Sequence, residues 1–365
     1  MKKYLTRILS SLLFISAFHA HSSLAELRVV TDIAPVHGLV ERVLEGVSTP
    51  SVIIRPGSDP HHYNLRPSEA ANIEKADIIF WIGPELTPWL ETALDNLAGH
   101  AEHISLLDVK GVHLLTGGHH HGHDDRDEHK DHDDHKEHAG HKDNDDHKDD
   151  DDHEEHADHK EHDEHTDHDD HKEHDEHTDH DDHKDDDDQA LKGAPVDPHA
   201  WLDPENAIAW LMVIADEAAH HDPANEALYR KNADSAAKAI SEQQARIATI
   251  LAAKQMPAIF AQHDAYRYFE ARFDFAFTGA LYDKENQAPS PAHIAELHAL
   301  THNMAKACLL AETDIENNVV QSVFKDTELY TINANPSGAL QSSHDNGFFG
   351  LFDVLEEGLK GCAKH

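Results

Sequence analysis

The chain has 365 residues, 71 of them acidic against 30 basic, and a formal charge of -41 with its 38 histidines counted as neutral. That balance excludes nucleic acid and anionic membrane surfaces as partners and suits the attraction of cations. The length admits two domains and leaves room for an insertion.

Residues 1–25 read as a Sec-type secretory signal. Lys2, Lys3 and Arg7 precede an apolar stretch at 8–18 that is too short to span a bilayer, and Ser23 and Ala25 are the small residues of a cleavage site. The expected mature chain starts at Glu26 and is a soluble protein of the periplasm.

Residues 27–31 then form a short apolar strand, followed by a turn at Ala34-Pro35 and a helix over 36–44. Further strands are expected at 51–54, 78–82 and 103–106, with helices at 67–75 and 85–97. Strands that are continuous apolar runs alternating with helices predict parallel βαβ units with both sheet faces covered.

A tract at 117–190 interrupts this pattern. Residues 119–188 hold 34 acidic and eight basic side chains, and the unit KEHDEHTDHDDH occurs twice, at 160–171 and 172–183. Such a run is expected to be disordered without metal. Its histidines, among them His119, His120, His121, His123, His162, His165, His168, His171, His174, His177, His180 and His183, are a different matter. Imidazole with carboxylate is a transition-metal ligand set, and acidity alone does not explain it. In an extended chain, residues three apart lie about 9 Å apart, so the tract must bend to chelate and is expected to hold several weak, exchangeable sites.

Order resumes near Pro195. Asp203-Pro204 is an N-cap and first helical position for a helix over 204–220, and a helix over 223–253 without internal Gly or Pro makes a rod of roughly 45 Å. The α/β pattern then repeats: strands at 258–261, 275–278, 307–311 and 328–332, helices at 266–271, 292–303 and 348–360. The predicted fold is α/β, with two lobes, each a mainly parallel sheet flanked by helices, joined by a long rigid helix. By residue, 26–116 and 191–222 form the first lobe, 223–254 the linking helix and 255–365 the second lobe. Cys308 and Cys362, an even pair in an oxidising compartment, are expected to form a disulfide, with a thiolate metal site as the alternative.

Three histidines outside the tract follow strands or lie in connecting loops, where open α/β sheets place ligands. They stand in Asp59-Pro60-His61-His62-Tyr63, in Asp197-Pro198-His199-Ala200-Trp201 and in Gln262-His263-Asp264-Ala265-Tyr266. Three imidazoles bind zinc with a fourth position for water or a carboxylate. One of His61 and His62 faces the cleft, and Asp264 is either a helix N-cap or a carboxylate partner for a ligand. His37, His100, His113, His220, His221, His293, His298, His302 and His344 read as surface or helix-face residues.

The segments SDPHHYNLRPS (58–68), DPHAWLDP (197–204) and HDAYRYF (263–269) resemble the signature segments of the cluster A-I metal-binding proteins of ABC importers, nearest to their zinc-uptake members. The resemblance covers essentially the whole mature chain. It implies His61, His199 and His263 as zinc ligands, Zn2+ as cargo rather than catalytic cofactor, and a monomer that serves an inner-membrane ABC permease with its cytoplasmic ATPase. Zinc-uptake members often carry Glu just before the first of these histidines, whereas this chain has Pro60. Manganese-type members supply an Asp where this chain has Asn335. The fourth ligand is therefore Asp59, water or a tract histidine.

A cleft of three imidazoles favours zinc over manganese, which prefers oxygen donors. The expected function is capture of Zn2+ in the cleft and delivery to the permease, with the tract as accessory collector. The alternatives are a zinc buffer or metallochaperone, or a manganese-binding relative. A secreted zinc hydrolase is disfavoured, because neither HExxH nor GxSxG is present.

Overall fold

A computed structural model describes residues 27–117, 195–253, 256–282, 288–312, 317–338 and 347–365. The expected signal at 1–25 and the histidine tract from residue 118 onward lie outside the described residues.

Two parallel four-stranded sheets organise the described chain. The first contains β1 (Val29–Thr31), β2 (Ser51–Val52), β3 (Ile78–Trp81) and β4 (Glu102–Ser105), in the order β2-β1-β3-β4. The second contains β5 (Ala258–His263), β6 (Gly279–Tyr282), β7 (Lys306–Ala311) and β8 (Glu328–Asn333), in the order β6-β5-β7-β8. The two orders are topologically equivalent. Strands β3 and β7 are almost wholly buried, as unbroken apolar runs covered on both faces must be.

Around the first sheet lie α1 (Ala34–Leu44), α2 (Pro67–Ile73), α3 (Pro88–Leu97) and α4 (Pro204–His221). Helix α5 (Glu226–Leu251) follows, and α6 (Arg267–Phe273), α7 (Pro291–Thr301), α8 (Asn317–Val323) and α9 (Phe348–Cys362) belong to the second half. Proline stands in the first turn of α1, α2, α3, α4 and α7, where its missing N–H removes no helical bond.

The long helix α5 has 26 residues, about 39 Å at the helical rise. It buries Tyr229, Ala233, Ala236, Ile240, Gln243, Ile247 and Leu251, a single stripe at spacings of three and four. This stripe packs on α1 and α4 of the first half and on α9 of the second. Asn232 donates to the carbonyls of Val43 and Glu45 at the end of α1, while Gln243 and Arg246 reach Asp353 and Glu356 on α9. Helices α1 and α9 also touch directly. Gly347 has φ +126°, and a Cβ there would stand 2.6 Å from the Ala34 carbonyl oxygen, so glycine is required for this approach.

Three predicted elements differ in kind or place. Ala34-Pro35 forms the first turn of α1 rather than a separate turn. Helix α3 begins at Pro88, since Leu86 and Thr87 turn back to the Gly83 carbonyl. The strand expected at 275–278 lies at Gly279–Tyr282 instead. Asp274 closes α6 in the left-handed conformation, and Phe275 and Phe277 fold back onto Glu270 and the aromatic rings of Tyr266 and Phe269. Helix α8 was not foreseen. Cys308 on β7 and Cys362 at the end of α9 are joined in a disulfide, with Cα atoms 6.0 Å apart.

Candidate metal centre

His61 lies in the loop between β2 and α2, and that loop is held at both sides of it. Trp89 Nε1 on α3 donates to the Pro60 carbonyl at 3.0 Å, and the ring of Tyr63 packs on Trp89 while its hydroxyl donates to Glu69 at 2.8 Å. Asp59 Oδ1 accepts the His61 backbone N–H at 2.8 Å, a turn closed by the aspartate two residues back. The other oxygen of Asp59 pairs with Nδ1 of His62 at 3.1 Å, and the His62 side chain is 84% exposed. His62 thus faces solvent, and His61 is the member of the pair that meets the other histidines.

His199 is placed by the same device. Asp197 Oδ1 accepts both the His199 backbone N–H at 3.0 Å and its ring Nδ1–H at 2.8 Å. Burial works against the Asp197 charge, but the His199 hydrogen bond and the nearby Arg267 guanidinium hold its pKa below the usual carboxylate range. Trp201 packs against the His199 ring with centroids 5.2 Å apart, and its Nε1 donates to the Pro336 carbonyl of the second half at 2.7 Å.

His263 ends β5, and its Nδ1 is paired with Oε1 of Glu312, the residue after β7. The parallel register sets Ala261 opposite Leu310, which carries His263 alongside Glu312. Gln262 fixes that glutamate by accepting its backbone N–H at 2.7 Å.

His199 is the middle member of the group. Its ring centroid is 5.9 Å from that of His61 and 6.1 Å from that of His263. Among the described residues no group of three or more His, Cys, Asp or Glu side chains is close enough, as it stands, to hold an ion. Imidazoles on one tetrahedral zinc, with Zn–N of about 2.0–2.1 Å, have centroids roughly 5 Å apart, so the His61–His199 and His199–His263 pairs must each close by about 1 Å. His199 and His263 both engage a carboxylate through Nδ1, which leaves Nε2 as the lone-pair nitrogen, the arrangement that orients metal-bound histidine.

Asp59 is occupied in shaping the His61 loop, and Asn335 Oδ1 accepts from the amide and hydroxyl of Ser337. The carboxylate paired with His263 Nδ1 comes from Glu312, and α6 has Tyr266 rather than Asp264 at its N-cap. His37 Nε2 donates to the Pro50 carbonyl at 3.2 Å. His113 is exposed, as expected, and lies 3.4 Å from the fully buried Asp203 and edge-on to Tyr268. The twelve tract histidines named above lie outside the described residues. The positioning roles of Asp59 and Asp197 had a signal in the sequence: the tripeptide Asp-Pro-His stands at both 59–61 and 197–199. Glu312 was marked only by the likeness of its segment to the family, and the strand register is what brings it to His263.

Helix α6 also grips the first half of the chain at this point. Tyr268 OH donates to the Asp197 carbonyl at 2.8 Å and accepts the Leu115 N–H at 3.0 Å, and Arg267 donates to the Thr116 and Gly117 carbonyls.

A family model described as "Zinc-uptake complex component A periplasmic" matches residues 29–360. The chain is 36% identical over 304 residues to the high-affinity zinc uptake system protein ZnuA of Paracoccus denitrificans, covering 83% of this chain and 81% of that one. To the protein of the same name from Brucella abortus it is 33% identical over 362 residues, 97% of this chain and 98% of the other. The fold matches a crystal structure of ZnuA with a TM-score of 0.60 at 16% identity, over 93% of this chain and 98% of that one.

Proposed function

From the premise that this chain belongs to the ZnuA family, we propose that it captures Zn2+ between His61, His199 and His263 and delivers it to the permease of an ABC importer. Membership makes it a periplasmic zinc-binding component of an ABC zinc transporter, a solute-binding protein rather than an enzyme, with zinc as the transported ligand. Among the described residues no helix is long and apolar enough to cross a membrane.

One observation carries the residue assignment. The His199 ring stands between those of His61 and His263, while Asp197 and Glu312 engage the Nδ1 atoms of His199 and His263. This is a zinc ligand set with one imidazole from the second half of the chain, and water completes four-coordination. The imidazoles also disfavour manganese relative to zinc.

The histidine tract is read as an accessory, low-affinity collector. Where the described chain resumes, Gly117 N–H donates to the Pro195 carbonyl at 3.0 Å and Thr116 pairs with Val196, directly before Asp197-Pro198-His199. The protein acts as a monomer with its permease and ATPase, after removal of residues 1–25.

The test is reconstitution of the cognate permease and ATPase in liposomes. The zinc-loaded protein is expected to stimulate ATP hydrolysis and zinc uptake, and His199→Ala to abolish both. Stimulation by manganese alone, or equal uptake with His199→Ala, contradicts the proposal.

A further inference from the structure

Helix α7 and its C-cap carry two histidines one turn apart, His298 and His302, and neither belongs to the cleft. Their ring centroids are 6.3 Å apart with planes at 34°, a spacing close to that of the cleft rings. Two histidines four residues apart on one helix face form a recurrent zinc-binding pair.

The state of each ring fits a ligand. His302 Nδ1 lies 2.9 Å from the Ala299 carbonyl. A carbonyl only accepts, so Nδ1 carries the proton and Nε2 the lone pair, as in metal-bound imidazole. The Nε2 atom of His298 is buried and has no hydrogen-bond partner. Oδ2 of Asp326 stands 3.8 Å from it. That is too long for a hydrogen bond. Two donors on one zinc, each at about 2.0–2.2 Å, are separated by roughly 3.4–3.7 Å, which this gap approaches.

The backbone around these groups is fixed. Buried Thr301 donates to the Val323 carbonyl, and Thr327 donates to the Thr301 carbonyl at 2.8 Å. These bonds lock the turn bearing Asp326 onto the end of α7, where the helix carbonyls also favour a cation. We propose that His298, His302 and Asp326, which do not stand close enough to hold an ion until their side chains turn together, form a second, surface site for a borderline divalent cation, zinc or its neighbours nickel and copper(II). With three donors and half-exposed side chains the site is weaker than the cleft, and it is independent of the cleft assignment.

The test uses the full chain and zinc chloride alone. Diethylpyrocarbonate labels imidazole nitrogens that bear a lone pair, and peptide mass mapping reads exposed His302 individually. Zinc is expected to protect His302 with a single midpoint. That midpoint should rise by at least about tenfold in His298→Ala and in Asp326→Asn, the scale of loss that even outer partners of a metal site cause. Asp326→Asn keeps the shape of a half-exposed side chain, so it remains informative should His298→Ala unfold. Unchanged labelling of His302 up to millimolar zinc, or a midpoint unmoved by Asp326→Asn, overturns the proposal.

Discussion

Asp197 Oδ1 lies 2.8 Å from the ring Nδ1 of His199 and also accepts that residue's backbone N–H. One carboxylate therefore sets the loop, the ring orientation and the tautomer of the central histidine. Removing it should leave the ring present but unguided. Asp197→Ala is expected to weaken zinc binding by about 10–100-fold, measured by competition with a chromogenic chelator. Affinity equal to the parent contradicts this positioning role.

Arg272 on α6 makes a two-point contact with Asp203, with Nε–Oδ1 at 2.6 Å and Nη2–Oδ2 at 2.7 Å. Asp203 is fully buried and also caps α4 through the Glu205 N–H. Arg272→Ala leaves that charge without its partner and should cost about 3–5 kcal/mol. Thermal unfolding should show a drop in Tm of roughly 10 °C; a change within error argues that water replaces the guanidinium.

The pH dependence of stability has a named contributor in Glu356. The Arg246 hydrogen bond, opposed by burial and aided by Lys360, brings its pKa down to about 2 from an ordinary 4.5. The native state thus binds fewer protons than the unfolded state. The stabilisation is complete above about pH 4.5 and is lost as pH falls towards 2, an effect of about 3 kcal/mol. In zinc-free protein, Glu356→Gln should lower Tm at pH 6 and converge with the parent near the acid limit. Parallel Tm curves across that window contradict the assignment.

The disulfide links positions 54 residues apart, from the second sheet to the last helix. Loop-closure entropy puts its stabilisation at about 4 kcal/mol. The double variant Cys308→Ala, Cys362→Ala should unfold roughly 10 °C lower while binding zinc as the parent does, because neither cysteine touches the trio.

Much of the fold was legible because apolar strands alternate with capped helices, and periodicity reports both. The strand at 279–282 was misplaced because Phe275 and Phe277 are as apolar as a strand, yet their burial serves the end of α6. No local pattern distinguishes the two uses. The three histidines were visible as loop residues after strands, and the paired Asp-Pro-His tripeptides also held the positions of Asp59 and Asp197. Glu312 and the Asp203–Arg272 contact arise from register and from the packing of distant segments, 49 and 69 residues apart in sequence, which no local reading contains. The same holds for Asp326 beside His298.

The central claim is that transport-grade zinc binding resides in the trio and not in the tract. The direct measurement is zinc titration, under chelator competition, of the parent chain, a variant lacking residues 119–188, and that variant with His199→Ala. The account predicts one tight site that survives loss of the tract and disappears with His199→Ala. Loss of tight binding with the tract alone, or its persistence in the His199→Ala variant, would contradict it.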